Sequence, residues 1–114
     1  MSAIRGALIL ALLGVGASAY ADDLTPVQAQ GKQVYSHWCI YCHAPGVWGT
    51  NRLARRADKD QAVLENRTDL TAAGIRAIVR TGVGSMPPLR RTEISDADLD
   101  AIAAYLMRQR SGAH

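Results

Sequence analysis

Cysteines 39 and 42, two residues apart and with a histidine directly after the second, form the cluster in this chain whose residue types and spacing carry chemistry most plainly. In full the stretch reads Trp38-Cys39-Ile40-Tyr41-Cys42-His43. Two thiols at this spacing can share a metal ion, exchange a disulfide, or add to the vinyl groups of a porphyrin whose iron the next histidine then binds. Trp38 ahead of the first cysteine fits the pattern of redox dithiols, and His43 fits that of haem attachment. A second residue with ligand chemistry, Met86, stands far along the chain and is followed by Pro87 and Pro88.

The elements that must position these residues arbitrate among the three chemistries. Thr25-Pro26-Val27-Gln28 predicts a helix start, in which Thr25 caps free amides, Pro26 suits the first turn and Gln28 closes a capping box. Val27, Gly31, Val34, Tyr35 and Trp38 keep to one face of that helix, and the missing side chain at Gly31 lets another helix cross closely. The helix runs straight into Cys39. A second helix is predicted from Thr71 to Thr81, with Ile75, Ile78 and Val79 as its apolar face and Gly82 as its stop. Gly84 then frees the backbone while Pro87 and Pro88 stiffen it, so Met86 lies in a loop. The last helix starts after Ser95, with Asp96, Asp98 and Asp100 near the positive end of its dipole and Leu99, Ile102, Ala103 and Leu106 as its buried stripe. From Asn51 to Asp69 the chain is charged and weakly periodic, and reads as loop with room for one short helix, anchored by Leu53 and Leu64. The fold class is all-α, about three main helices.

A dithiol oxidoreductase places its motif between a buried strand and a helix N-terminus, which lowers the thiol pKa. Here a capped helix precedes the motif and no β-branched run does. A structural zinc site needs about four Cys or His ligands, and past Cys39, Cys42 and His43 the mature chain adds His37 and the terminal His114. A disulfide between Cys39 and Cys42 closes a loop too small to stabilise much. Covalent haem accounts for the whole pattern: thioethers at Cys39 and Cys42, His43 beneath the iron, and Met86 as the sixth ligand from the other side of the ring. A thioether favours ferrous iron, which suits electron transfer. Met107, on the last helix, reads as flexible core filler. His37 reads as a solvated helix residue.

Composition supports a helper group in the core. The chain has 114 residues and no Phe, a length at which one domain is expected and its apolar side chains leave little margin. Met1 to Arg5 carries one positive charge, and Gly6 to Ala21 is uncharged, shorter than a membrane span and ended by Ala19-Tyr20-Ala21. Residues 1–21 therefore read as a secretory signal peptide cleaved after Ala21, leaving 22–114 as a single periplasmic domain with no stable membrane span. The formal net charge of +3, reduced by one when Arg5 leaves, is too small to argue for nucleic acid or an anionic membrane, so no nucleic-acid partner is expected.

Over 22–114 these residues resemble a class I cytochrome c: Gly31 and Tyr35 on the first helix, Cys39-Ile40-Tyr41-Cys42-His43, Met86-Pro87, and Tyr105 on the last helix. The resemblance implies a small cytochrome c fold packed around one covalent haem c per chain, with the first and last helices crossing at the glycine and aromatic rings closing the contact. Trp48 and Arg67 stand as candidates to meet the haem propionates, through an indole N–H and a guanidinium, beside the alternative of a packed tryptophan and a solvated arginine. Ile40, Pro87, Pro88 and Leu89 would surround the exposed haem edge, and Arg90 and Arg91 border it. The runs GVWGTNRLARR, LENRTDLT and MPPLRRTEISDADLDAIAAYL are similar to the cytochrome subunit of the flavocytochromes p-cresol methylhydroxylase and eugenol hydroxylase. That similarity implies a flavoprotein dehydrogenase subunit that oxidises a 4-alkylphenol and passes electrons singly to the haem, then on to a downstream periplasmic acceptor. The cytochrome itself would hold no catalytic site. A free-standing electron carrier fits the haem motif equally, and a thiol-disulfide oxidoreductase is the remote rival.

Overall fold

The computed structural model of the chain describes residues 23–111, so the expected signal peptide, its cleavage after Ala21, and His114 lie outside the described residues. The described chain is helical: α1 (Pro26–Trp38), α2 (Ile40–His43), α3 (Trp48–Leu53), α4 (Lys59–Ala62), a 3-10 turn (Leu64–Asn66), α5 (Ala72–Thr81), α6 (Asp96–Leu106) and α7 (Arg108–Ser111). Among the described residues the one β-type pairing is an isolated bridge between Val83 and Met86.

Each long helix begins where its capping residue stands. Thr25 Oγ1 accepts from the Gln28 amide at 3.3 Å while Gln28 Oε1 accepts from the Thr25 amide at 3.0 Å, the reciprocal box expected for α1. Thr71 accepts from the Gly74 amide and Ser95 from the Asp98 amide, which caps α5 and α6 in the same way. Gly82, at φ +70°, ends α5.

The crossing of α1 and α6 is the centre of the fold. At Gly31 a Cβ atom would fall inside the Ala101 carbonyl, so the two backbones touch where the side chain is missing. One turn further on, Tyr35 and Tyr105 meet with ring centroids 5.7 Å apart and planes tilted by 52°. Tyr35, Ile94, Leu99 and Ile102 are essentially sealed from water, and burying an aliphatic side chain of this size stabilises by roughly 1.5–3 kcal/mol. α6 is buried well beyond the four-residue stripe, with Ala101 and Tyr105 also inside, because α1 and α5 cover it from two sides.

Three expectations need correction. Ile78 is exposed, because α5 packs on α6 along the i, i+4 pair Ile75 and Val79, and the i+3 position falls to the side. Val27 and Trp38 are exposed as well: the ends of the α1 stripe overshoot the crossing, and its middle, Gly31 and Tyr35, is what is buried. The stretch from Asn51 to Asp69 holds the second half of α3, all of α4 and the 3-10 turn, where one short helix was expected. Short turns such as these are stabilised by what they pack against more than by propensity: Ala62 is fully buried, and Leu64 lies against the main core.

Candidate haem-binding site

Cys39 ends α1 and opens α2. Its amide donates to the Tyr35 carbonyl at 2.8 Å, and its own carbonyl accepts from both the Cys42 amide (3.1 Å) and the His43 amide (3.0 Å). The motif is thus a single helical turn joined to α1 without a loop. Residues three and four apart in such a turn share a face, so Cys39, Cys42 and His43 point the same way.

The chain leaving the motif is tied back to it. Gly46, at φ +78°, turns the backbone, and its carbonyl accepts from Asn51 Nδ2 at 3.1 Å. Buried Thr50 donates its hydroxyl to the Ala44 carbonyl at 2.8 Å. Gly49 lies so close to the Cys42 carbonyl that a Cβ atom there would overlap it. α3 therefore braces the motif from behind, a role that Thr50, a buried threonine among charged neighbours, signals only faintly in the sequence.

Electrostatics separates the possible chemistries. Burial, and secondarily the neighbouring Cys42, pushes the Cys39 thiol up to about 11. A thiol so placed is protonated at neutral pH and is a poor nucleophile for disulfide exchange. Burial also lowers the His43 pKa, which keeps the imidazole neutral with a lone pair free for a metal. Among the described residues no cluster of three or more His, Cys, Asp or Glu side chains is arranged to hold a metal ion. His37 is exposed on α1 and edges against Trp38.

Met86 comes from a different part of the fold. The Val83 amide donates to the Met86 carbonyl (3.1 Å) and the Met86 amide to the Val83 carbonyl (2.9 Å), closing a tight turn in which Gly84 takes φ +56°. Gly82 precedes it because a Cβ there would meet the Met86 carbonyl oxygen at 2.6 Å and the Pro88 nitrogen at 2.8 Å. Met86, like Cys39, packs against the central core, so the fold brings both halves of the expected site onto one body.

The residues fit a covalent haem. His43 Nδ1 is buried with no hydrogen-bond partner in the polypeptide, a costly state that a bound group relieves. Around the motif and the Met86 turn the chain leaves Ile40, Tyr41, Trp48, Ile78 and Val83 uncovered, more apolar surface than a chain this short can spare from its core. A family model described as cytochrome c oxidase, cbb3-type, subunit III, matches residues 26–106, from the first residue of α1 to the last of α6. The chain belongs to this family. It is a c-type cytochrome domain of the class I kind, an electron carrier whose family implies covalently attached haem c. No curated protein and no solved structure matches it. Cytochrome c domains are typically extracytoplasmic, and no helix among the described residues is long and apolar enough to cross a membrane.

The remaining expected site residues follow the motif turn in the chain, Trp48 on the α3 that braces it. Trp48 opens α3, is 58 % exposed, and has the Arg52 guanidinium 5.8 Å above its ring. Arg67 follows the 3-10 turn and is forked onto Asp69, through Nε at 2.8 Å and Nη2 at 2.6 Å. That pairing raises the Arg67 pKa and holds the guanidinium in one orientation. Arg91 is bound to Asp96, while the exposed Arg90 pairs loosely with Glu93 at 3.9 Å. No sequence pattern signals the contact from the Tyr105 hydroxyl to Glu65, which pins the 3-10 turn to α6, or Arg108 over the Tyr105 ring.

Proposed function

We propose that this cytochrome carries single electrons on one haem per chain, attached through Cys39 and Cys42, with His43 and Met86 as the protein ligands of the iron. The observation that carries the reading is the turn from Cys39 to His43, where two thiols and a half-buried imidazole with an orphaned, buried nitrogen share one helical face. Bound haem supplies a reversible one-electron change at iron, with a soft, neutral thioether favouring the ferrous form. The chain's own work is to hold that group rigidly. α1 and α3 hold the backbone around His43, the Val83–Met86 turn holds the backbone of Met86, and with both side chains as ligands the iron would keep no open position for oxygen chemistry. Arg67, oriented by Asp69, and the exposed indole of Trp48 are the groups suited to the propionates.

The mature protein works in the periplasm after loss of residues 1–21, a reading supported by the leader pattern. Its electron donor is a flavoprotein that oxidises 4-alkylphenols, supported by GVWGTNRLARR, LENRTDLT and the run after Met86. A second reading, delivery of electrons toward a terminal oxidase, draws on the description of the matched family, an oxidase subunit. A free-standing carrier needs neither partner.

Mass spectrometry after acid and organic extraction tests the attachment: haem should stay on the polypeptide, and a bare-polypeptide mass from cells able to mature cytochromes c would sink it. Copurification with a tagged chain separates the partners. A flavin-containing dehydrogenase that reduces the haem supports the first reading, an oxidase the second, and elution alone at every stage the free carrier.

A further inference from the structure

Arg80 is a largely covered cation at the edge of the core. It lies on α5 next to Val79, and its side chain is 16 % exposed. Nη1 donates to the Leu89 carbonyl at 3.0 Å, while Nη2 donates to the Ile94 carbonyl at 2.9 Å and to Asp96 Oδ1 at 2.8 Å. Its Nε is buried with no acceptor. Removing a guanidinium from water is costly, and leaving one of its N–H groups unsatisfied adds to that cost. Core packing alone is no reason to keep such a residue.

The segment it binds shows what it does. Pro87 and Pro88 have no amide hydrogens, so directly after Met86 the backbone offers no donor until Leu89. Leu89 is where the chain is fastened again: its amide donates to the Val79 carbonyl at 2.8 Å, and its carbonyl takes Arg80 Nη1. Both anchors come from adjacent residues of α5. The same guanidinium then spans to the Ile94 carbonyl and to the first turn of α6, using the planar fork that a lysine lacks. On its N-terminal side Met86 is held by the Val83 pairing, and on its C-terminal side by this clamp.

We propose that Arg80 is the positioning residue for Met86, fixing the downstream half of the ligand turn to α5 and α6 so that outside ligands do not displace the sulfur. The proposal rests on the reading of Met86 as sixth ligand. A turn that loses one of its two fastenings spends more time with the sulfur withdrawn, and a competitor for the sixth position then binds with higher apparent affinity.

The test is an imidazole titration of the oxidised, full-length, haem-loaded protein, followed through the weak near-infrared band of sulfur-bound ferric iron. Arg80→Gln should keep its haem and bind imidazole at least about tenfold more tightly, the effect of losing hydrogen bonds to a charged donor. Arg80→Lys should lie between it and the wild type, because one ammonium cannot span all three acceptors. Arg76→Gln, which breaks the exposed pair with Asp100 on the same helix, should match the wild type. If Arg80→Gln lowers the urea midpoint but leaves the titration unchanged, Arg80 is merely structural and the proposal falls. Should Arg80→Gln fail to fold, an Arg80→Lys titration identical to the wild type overturns it equally. A wild-type protein with no near-infrared band removes Met86 as ligand, and the proposal with it, an outcome distinct from an unchanged titration.

Discussion

Cys39, Cys42 and His43 reach a common face through one turn of helix closed by its own backbone, whereas Met86 is delivered by a turn whose position depends on residues before and after it in the chain. The first arrangement is local. The Cys39 carbonyl alone accepts two of the amide bonds that shape it. The second is assembled: Gly82 makes room for the Met86 carbonyl, Val83 pairs with Met86, and Leu89 is fastened to Val79 and Arg80. The difference teaches that the two sides of this site have different failure modes. With the proposed ligand set, damage to the motif turn would abolish attachment, while damage around Met86 would alter coordination and leave attachment alone.

The largest effect should come from Cys39→Ala combined with Cys42→Ala. Attachment through both sulfurs is lost, and because so small a core leaves little stability in reserve, soluble folded protein should fall to a minor fraction by circular dichroism and haem staining. A well-folded, haem-free protein would break the idea that the core depends on the ring.

Next comes the methionine pair. Met86→Ala should retain haem, lose the near-infrared band, and lower the reduction potential by on the order of a hundred millivolts. Met107→Ala should lose about 1–2 kcal/mol in urea unfolding and keep both signals, since Met107 packs against the core at the end of α6. The reverse result would reassign the ligand.

Two glycines sharpen the comparison at smaller scale. Gly82→Ala combines a strained backbone at φ +70° with a Cβ 2.6 Å from the Met86 carbonyl, a cost of about 1–3 kcal/mol that should appear as a weakened near-infrared band. Gly49→Ala pushes α3 away from the Cys42 carbonyl, so it should reduce stability by a similar amount and leave that band intact. Equal effects of the two substitutions on the band would erase the distinction between the regions.

The smallest effect concerns pH. Hydrogen bonds from Arg91 and Arg80 hold the Asp96 carboxyl below the usual carboxylate range. Its folded pKa is therefore below its unfolded one, and the unfolded state binds the extra proton. The stabilisation is complete above the ordinary carboxylate pKa and is lost as pH falls through the depressed value. Urea midpoints measured from about pH 5 to about pH 3 should decline less steeply in Asp96→Asn than in the wild type.

By itself the sequence determined everything that rests on short-range chemistry. The caps at Thr25, Thr71 and Ser95 set three helix starts, CIYCH set the thiols and imidazole on one turn, and Gly31 marked the helix crossing, because each depends on residues within a turn of one another or on a missing side chain. Met86 was legible as a ligand candidate from its prolines, but not how its turn is held. Tertiary structure decided the rest: that Arg80 turns inward to the Leu89 and Ile94 carbonyls, that Glu65 meets Tyr105 forty residues away, that Ile78 faces out, and that Thr50 seals α3 against the motif. The physical reason is common to all four. A buried polar group is stable only where a partner waits, and for these residues the partner, or for Ile78 the packing surface, comes from an element that periodicity along the chain does not locate.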